Sequence, residues 1–562
     1  MFGLGAVEVA VVVAYLLGVT GIGALAMRRI QGIDDFIMPR RFGAWMMTMH
    51  AFGTGTHSDQ AVSVASKTYT NGISGIWYQW LYLFATPFYW LIAPMMRRFR
   101  ALTTADIFEL RYNRSVAALY ALVSIAMMVT TIGLMLKGSG AVIEGASDGA
   151  ISSNAAIVAM TVLFVGYGTA GGLGAAIVTD FIQGILTIVF SFLLLPVVLS
   201  AVGGISGMRA TIADESMFSL VAPGEIGFFY IAVITVNALI GIVAEPHILG
   251  NCSAGKTETE GQVGLVVGSF TKRVCTVAWS LTGLAGVAYF ASSTMDPDQL
   301  YGRLASDFLP QLLPGMLGLF IATLLASVMS SCDSFMIAAS ALFTENLYKP
   351  ARPKQSPIHY LWMARGVSVV VVVLGVLYAF WLDGVIQGLE ILWKIPPMMG
   401  IAFWLGRLWR RTTPAAAWAS TLGALFMWWL TSQGFTASAL ASRSFSDALH
   451  LIADDGGVAL PWQMVIYLST GLVLGIVVSL FTPPTDAEKL TRYYALQRTP
   501  VWTEEGNLPE PCTLPEGAVP EPPRQLVPGL EIGVPTRRTL IGFLAGWVCV
   551  AAIIGVVYGL VA

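Results

Sequence analysis

The sequence predicts an all-α polytopic membrane protein with about 14 transmembrane helices. Three observations carry that class. Hydrophobic residues make up 56% of the chain and charged residues 11%, with a mean hydropathy of +0.72, the composition of a chain whose solvent is mostly lipid. Apolar runs recur at the length of about 20 residues that a bilayer requires. Lysine and arginine also sort by loop. Alternating loops place 24 of them on one side, Lys256, Lys272 and Arg273 among these, against Arg209, Arg303 and Arg443 on the other. Positive charge concentrates in cytoplasmic loops, so both termini are predicted outside.

The segments follow in order. The first, 6–27, lacks a basic start and a small-residue cleavage site and is followed by Arg28-Arg29, which suits a retained helix rather than a signal peptide. Next come 45–67, 76–95, 115–136, 151–166, 172–198, 226–249, 274–293, 316–348, 359–381, 386–406, 413–430, 461–481 and 540–561. Between the last two, 482–539 is rich in proline and acidic residues (Glu504, Glu505, Pro509, Glu510, Pro511), a composition that predicts an extended cytoplasmic linker. The expected organisation is a first helix and loop (1–41), a block of ten apolar segments (42–411), two further helices (412–481), the linker (482–539) and a C-terminal helix (540–562). Cys252, Cys275, Cys332, Cys512 and Cys549 show no disulfide or metal spacing. A net charge of −2 with no exposed basic domain argues against nucleic acid.

Four polar constellations stand inside these apolar segments. Phe52-Gly-Thr-Gly-Thr-His-Ser-Asp-Gln60 places glycines, hydroxyls, His57, Asp59 and Gln60 within a span. Irregular polar backbone survives at membrane depth only where it lines a protected cavity, so this stretch predicts a broken helix around a solute and a cation. Gly166-Tyr-Gly-Thr-Ala-Gly-Gly-Leu-Gly174 supplies a tight turn before Thr179, Asp180 and Gln183; Asp180 reads as a functional acid or as a helix-end residue at the interface. Ser327, Ser330, Ser331 and Ser334 share one helical face beside Asp333. Small hydroxyl residues suit close helix packing, and they also suit a hard cation such as Na⁺, which takes oxygen ligands. The fourth group is Asn237 and Glu245-Pro246-His247, with Glu390 and Lys394 spaced i, i+4 before Pro396-Pro397; it reads as a neutralised buried pair or as a substrate contact.

At these residues the chain resembles the sodium:solute symporter family, which includes sodium/proline, sodium/sugar and sialic acid symporters. The resemblance rests on Gly171-Gly172-Leu-Gly-Ala-Ala-Ile-Val-Thr179-Asp180-Phe-Ile-Gln183, on Ser330-Ser331, and on Ser340-Ala-Leu-Phe-Thr344-Glu-Asn-Leu-Tyr348-Lys349. Ala254-Gly-Lys256 with Glu260-Gly-Gln262, and Leu405-Gly-Arg-Leu-Trp409-Arg-Arg-Thr-Thr413, add to it, so that it runs from Ala6 to Phe481. It implies a leucine-transporter-like core of 5+5 inverted repeats, the second to sixth and seventh to eleventh segments, with the first helix of each repeat broken at the midplane. It further implies a Na⁺ site from the carbonyls of Gly53, Thr56 and Ser327 and the hydroxyls of Ser330 and Ser331, with Asp180 at a further Na⁺ or release site. Asp59 and Gln60 match solute-contacting positions, and His57, Asn237, Glu245 and Lys394 complete the candidate substrate set. The aromatic gate of the sugar branch is replaced by Ala238-Leu-Ile-Gly241-Ile, the FT-x-D aspartate is Asn346, and His57 and Lys394 are unlike that branch. Lys394 points instead toward a carboxylate-bearing solute.

The implied function is Na⁺-coupled uptake of a small organic solute (a carboxylate, amino acid or sugar) across the cell's plasma or inner membrane by alternating access, with Na⁺ as the coupling ion and the lipid bilayer as the remaining partner. The membrane potential adds about 2.3 kcal/mol per charge per 100 mV. The alternative is a transporter-like solute sensor or assembly subunit, which would bind solute without gradient-driven uptake. A membrane enzyme is a third reading. His57 and Asp59 at i, i+2 face different sides of a helix, and the chain has no nucleophile elbow, HExxH or phosphate loop.

Overall fold

The computed structural model describes residues 5–27, 40, 42–168, 173–222, 226–293, 295–443, 446–453, 455–502, 505, 511–522, 526–527 and 530–562. Within the helices, the side chains of Asp180 and Ser330 lie outside the described set, as do Gly171 and Gly172 of the glycine-rich stretch. Among the described residues the regular structure is helical and no sheet forms.

The principal helices are α1 (Ala6–Met27), α2 (Ala44–Thr54), α3 (Ser58–Asn71), α4 (Thr86–Arg98), α5 (Thr104–Arg111), α6 (Arg114–Ala146), α7 (Ser153–Gly168) and α8 (Leu173–Ala201). They continue as α9 (Phe228–Gly241), α10 (Pro246–Ser253), α11 (Glu258–Tyr289), α12 (Leu300–Leu312), α13 (Met316–Ala341), α14 (Pro357–Trp381), α15 (Val385–Lys394) and α16 (Pro396–Leu408). The last are α17 (Pro414–Thr431), α18 (Leu460–Phe481), α19 (Ala487–Gln497) and α20 (Arg537–Val561). Many begin at recognisable caps. Thr103 and Asp106 form a capping box on α5, Asn113 accepts from the Val116 amide on α6, and Thr413 and Thr536 cap α17 and α20.

Among the described residues, six helices are individually long and apolar enough to cross a bilayer, and the α9–α10 pair, bent by 68°, makes a seventh span. The smaller number has a physical source. The expected 45–67 span is interrupted between α2 and α3, the 386–406 span between α15 and α16, and the eighth carries charge. That eighth segment departs furthest from expectation. It was placed at 274–293 with Lys272 and Arg273 in the preceding loop, whereas α11 starts at Glu258, under a capping box of Thr257 and Glu260, and carries both cations buried at its middle. Two of the residues that the charge pattern assigned to a cytoplasmic loop are therefore interior.

Glycines let α11 come close to α2. A Cβ on Gly264 would stand 2.6 Å from that of Met47, and one on Gly268 would stand 2.7 Å from the Thr48 carbonyl. Gly268 and Lys272 are spaced i, i+4 on one face, so the contact that seats Gly268 on α2 carries Lys272 to the end of α2. On the other side, α6 meets α3 at Gly138, where a Cβ would lie 2.6 Å from the Asp59 Cα.

The segment after α18 also departs from the extended linker expected. It contains α19, capped by Asp486, whose Leu490, Tyr493, Tyr494 and Leu496 are buried against the core. Aromatic side chains on a short helix supply apolar area that the proline and acidic content of the surrounding stretch conceals.

Candidate functional site

The site is built where two helices are broken. The first break is Gly55-Thr56-His57, with α2 ending at Thr54 and His57 extended at φ −125°, ψ 171° before α3 begins. The second is Glu245, extended at φ −71°, ψ 122°, where Pro246 starts α10. Both expected breaks are thus present in the structure. Broken ends leave carbonyls and amides without helical partners, and each must find another group or a ligand.

Lys272 answers the first break. Its ammonium, buried in α11, donates to the Gly55 carbonyl. It lies in electrostatic range of the carboxylates of Asp59, one turn into α3, and of Glu245 at the second break. Thr54 connects the same two regions, donating to the His50 carbonyl at 2.7 Å and to Asn251 Oδ1 of α10 at 3.1 Å. Glu245 accepts from the Tyr82 hydroxyl at 3.0 Å and lies 3.4 Å from His247 Nε2. Arg273 donates to the Gln79 carbonyl at 2.7 Å and sits over the Tyr82 ring, within electrostatic range of Glu245.

α13 closes the site. Phe335 packs edge-on against His57 (centroids 6.1 Å) and against His247 (5.8 Å), so one ring stands between the histidines of the two breaks. Ser327 shares a cavity with His57 and Ser58, and Ser331, between Ser327 and Phe335 on the same i, i+4 stripe, is buried. Ser58 is fixed on α6 by a 2.6 Å hydrogen bond with Ser139. Several buried polar atoms here have no hydrogen-bond partner: Thr56 Oγ1, Asp59 Oδ1, Gln60 Oε1, His247 Nδ1 and Ser334 Oγ. Unmatched buried polar atoms are costly, and a cluster of them around two helix breaks has the chemistry of a ligand site.

The sequence-predicted residues divide. His57, Asp59, Gln60 and Glu245 are brought together with Ser327 and Ser331 around the breaks. His57 Nε2 is engaged with the Thr54 carbonyl at 3.0 Å, and its Nδ1 lies 3.7 Å from Asp59. Asn237 and Lys394 do not join them. Asn237 donates to the Trp393 carbonyl at 2.9 Å and accepts from the Tyr467 hydroxyl; Lys394 donates to Gln463 Oε1 at 2.9 Å. Both are committed to α18. Glu390, read as a pair with Lys394 or as a substrate contact, accepts from Tyr78 at 2.6 Å and stays within electrostatic range of Lys394. Lys394 is the last residue of α15, separated by Ile395 from the start of α16 at Pro396, and it is buried. Lys272, which was missed, carries the cation that Lys394 was expected to supply. The available signal was the small-residue spacing Gly264, Gly268 leading to it.

Known proteins resemble this chain in sequence and in fold. The chain is 25% identical over 358 residues to the sodium/pantothenate symporter of Haemophilus influenzae, covering 61% of this chain and 72% of that one. It is 24% identical over 460 residues to the sodium/glucose cotransporter of Vibrio parahaemolyticus, covering 74% and 83%. Its fold is similar to that of a Na⁺-coupled sialic acid symporter in a substrate-bound outward-open state, with a TM-score of 0.66 and 19% identity over 85% of this chain and 99% of that chain. Such relatives are transporters, not enzymes. The sodium:solute symporter family model matches residues 36–424, and the chain belongs to that family: it is an integral membrane, sodium-coupled symporter of a small solute.

Proposed function

We propose that the solute is a small carboxylate that also carries an amino or hydroxyl group, taken up together with Na⁺. The observation that carries this reading is the Lys272 ammonium at the first helix break, facing Asp59 and Glu245. A solute carboxylate would pair with Lys272, a charge-assisted contact roughly twice as strong as a neutral one. The unpartnered acceptors Asp59 Oδ1 and Gln60 Oε1 would take the solute's N–H or O–H donor. Charge supports the pairing. Lys272 and Arg273 balance Asp59 and Glu245, so one Na⁺ entering with one carboxylate leaves the site as neutral as before. Among the relatives, pantothenate and sialic acid are carboxylates, and proline is an amino acid.

In this reading Na⁺ lies between the first break and α13, held by the carbonyls of Gly53, Thr56 and Ser327 and the hydroxyls of Ser330 and Ser331. Asp180 would serve a further Na⁺ or its release. The placement of Ser327 beside His57 and the buried Ser331 supports this site, as does the oxygen chemistry of the set. Bound Na⁺ would brace α2–α3 against α13 until inward release loosens them. The finer architecture is a leucine-transporter-like 5+5 core within about 14 spans, both termini outside, in the plasma or inner membrane.

The test is uptake by proteoliposomes under an inward Na⁺ gradient, screened over pantothenate, proline, sialic acid, glucose and simple hydroxy- and amino acids. Gradient-driven uptake of a carboxylate, lost in Lys272→Met and kept in Lys394→Met, is expected. Uptake of glucose alone, unaffected by Lys272→Met, would overturn the solute class.

A further inference from the structure

Composition predicts that 482–539 lies free of the core, yet Glu531 is buried, and Arg498 and Glu505 half-buried, at the ends of three core helices. Glu531 accepts from Arg410 at the end of α16 at 2.5 Å and from Arg498 just after α19 at 2.8 Å; its amide donates to the Leu408 carbonyl at 2.8 Å, and its carbonyl accepts from Arg407. Arg100, fully buried just past α4, is clamped by Glu505 at 2.6 and 2.8 Å. Glu258 at the start of α11 is shared: it accepts from Arg98 of α4 at 2.8 Å and from the Val501 amide at 2.7 Å, and its own amide donates to the Val501 carbonyl at 3.1 Å. The Cys512 amide donates to the Arg100 carbonyl at 3.3 Å, and the Cys512 side chain is buried. A tail that merely linked two spans would leave these charges in water, where ion pairs contribute little. Several charge-assisted hydrogen bonds converging on the buried Glu531 and the buried Arg100 define one docked position.

The helices joined are telling. α4 belongs to the first proposed repeat, and α11 and α16 to the second. Arg40 and Phe42, just before the broken α2, hang on the same face: Arg40 donates to the Arg100 carbonyl at 3.0 Å, and Phe42 exchanges backbone bonds with Ala254 and Lys256 at 3.2 Å each. Opening the site toward this face requires these ends to separate.

We propose that the docked contacts of Val501, Glu505, Cys512 and Glu531 act as a strap that latches the inner face of the transporter and must release before the inward-facing state opens. The inference rests on the inside placement of this loop given under the proposed function. Alternating access therefore carries an added electrostatic latch, one that Na⁺ binding keeps closed by favouring the outward-facing state.

Cys512 is a native reporter. Cys252, Cys275 and Cys332 are also buried, and Cys549 is exposed, so the full-length Cys549→Ser protein leaves its thiols protected while the strap is docked. In inside-out membrane vesicles, a membrane-impermeant maleimide is expected to label Cys512 slowly in NaCl and several-fold faster in KCl. Glu505→Gln and Glu531→Gln, at opposite ends of the strap, are each expected to raise the rate in NaCl toward that in KCl. A misfolded variant is recognised by labelling of the three interior cysteines as well, and the other variant then decides. Equal rates in the two salts, or folded variants without effect, would overturn the strap. Labelling only from the outer face of right-side-out vesicles would overturn the orientation instead.

Discussion

Lys272 on α11 donates its ammonium to the carbonyl of Gly55, the residue at which α2 stops. One buried cation thus satisfies a broken helix end and faces the carboxylates of both breaks. Lysine is suited to this position because its compact ammonium on a flexible stem can turn from Gly55 toward an arriving anion, which a planar guanidinium cannot do without losing its paired geometry.

The first prediction concerns that exchange. Lys272→Met should raise the KM for solute by roughly 10- to 100-fold, the equivalent of the about 1.5–3 kcal/mol of a hydrogen bond to a charged group. Lys272→Arg should fail to restore it. Solute binding to purified protein, read by calorimetry at fixed Na⁺, checks both; an unchanged Kd in Lys272→Met would remove the lysine from the site.

Ser331 separates the ion from the solute. Ser331→Ala removes one proposed hydroxyl ligand and leaves the backbone donors in place, so half-maximal uptake should need roughly tenfold more Na⁺, about 1.4 kcal/mol. The maximal rate at saturating Na⁺ should stay near the parent's. A titration of uptake against Na⁺ that superimposes on the parent curve would move the ion elsewhere.

How much of this was legible in the sequence follows from which signals survive burial. The two breaks were readable because glycine, proline and polar residues interrupt apolar runs at Gly53–Gln60 and Glu245–His247. The serine face of α13 was readable for the same reason. Lys272 was not, because a charge at the edge of an apolar run is normally a loop residue; only the close approach of Gly264 and Gly268 to α2 draws it inside. Lys394 misled because i, i+4 spacing with Glu390 describes a continuous helix surface, whereas Tyr78 takes Glu390 and Gln463 takes Lys394. The strap was hidden because its partners, Arg98, Arg100, Arg407 and Arg410, are distant in sequence.

Gly138 offers a test of how tightly the site is built. A methyl group there would meet the Asp59 Cα at 2.6 Å, and backbone on both sides leaves no flexible atom to give way. Gly138→Ala should therefore push α3 from α6 and cost about 1–3 kcal/mol of stability, as overpacking does. The expected result is a lower thermal midpoint together with weaker solute binding, since Asp59 and Gln60 move with α3. A variant with the parent's midpoint and affinity would show that the two helices are free to separate at this point.

The latch should respond to acid, and the sign can be worked out from Glu531. Its partial burial works against ionisation, but the hydrogen bonds from Arg498 and Arg410 and their positive charge outweigh that and hold the carboxyl below its ordinary value of 4.5. A carboxyl with a depressed native pKa contributes its full stabilisation above the ordinary value and loses it as pH falls through the native one. Docking of the strap should therefore be insensitive to pH near neutrality and weaken only as the inner face is acidified below the ordinary glutamate range. Maleimide serves poorly there, because its target thiolate vanishes in acid. Docking is better read with a methanethiosulfonate spin label installed at neutral pH on an exposed position of the strap, Glu516→Cys in the Cys549→Ser parent, with and without Glu531→Gln. The parent's label should gain mobility as the pH is lowered toward about 4. The Glu531→Gln label should be mobile from the start and change less, and a parent label that instead loosens between pH 6 and 7 would assign the latch to a different group.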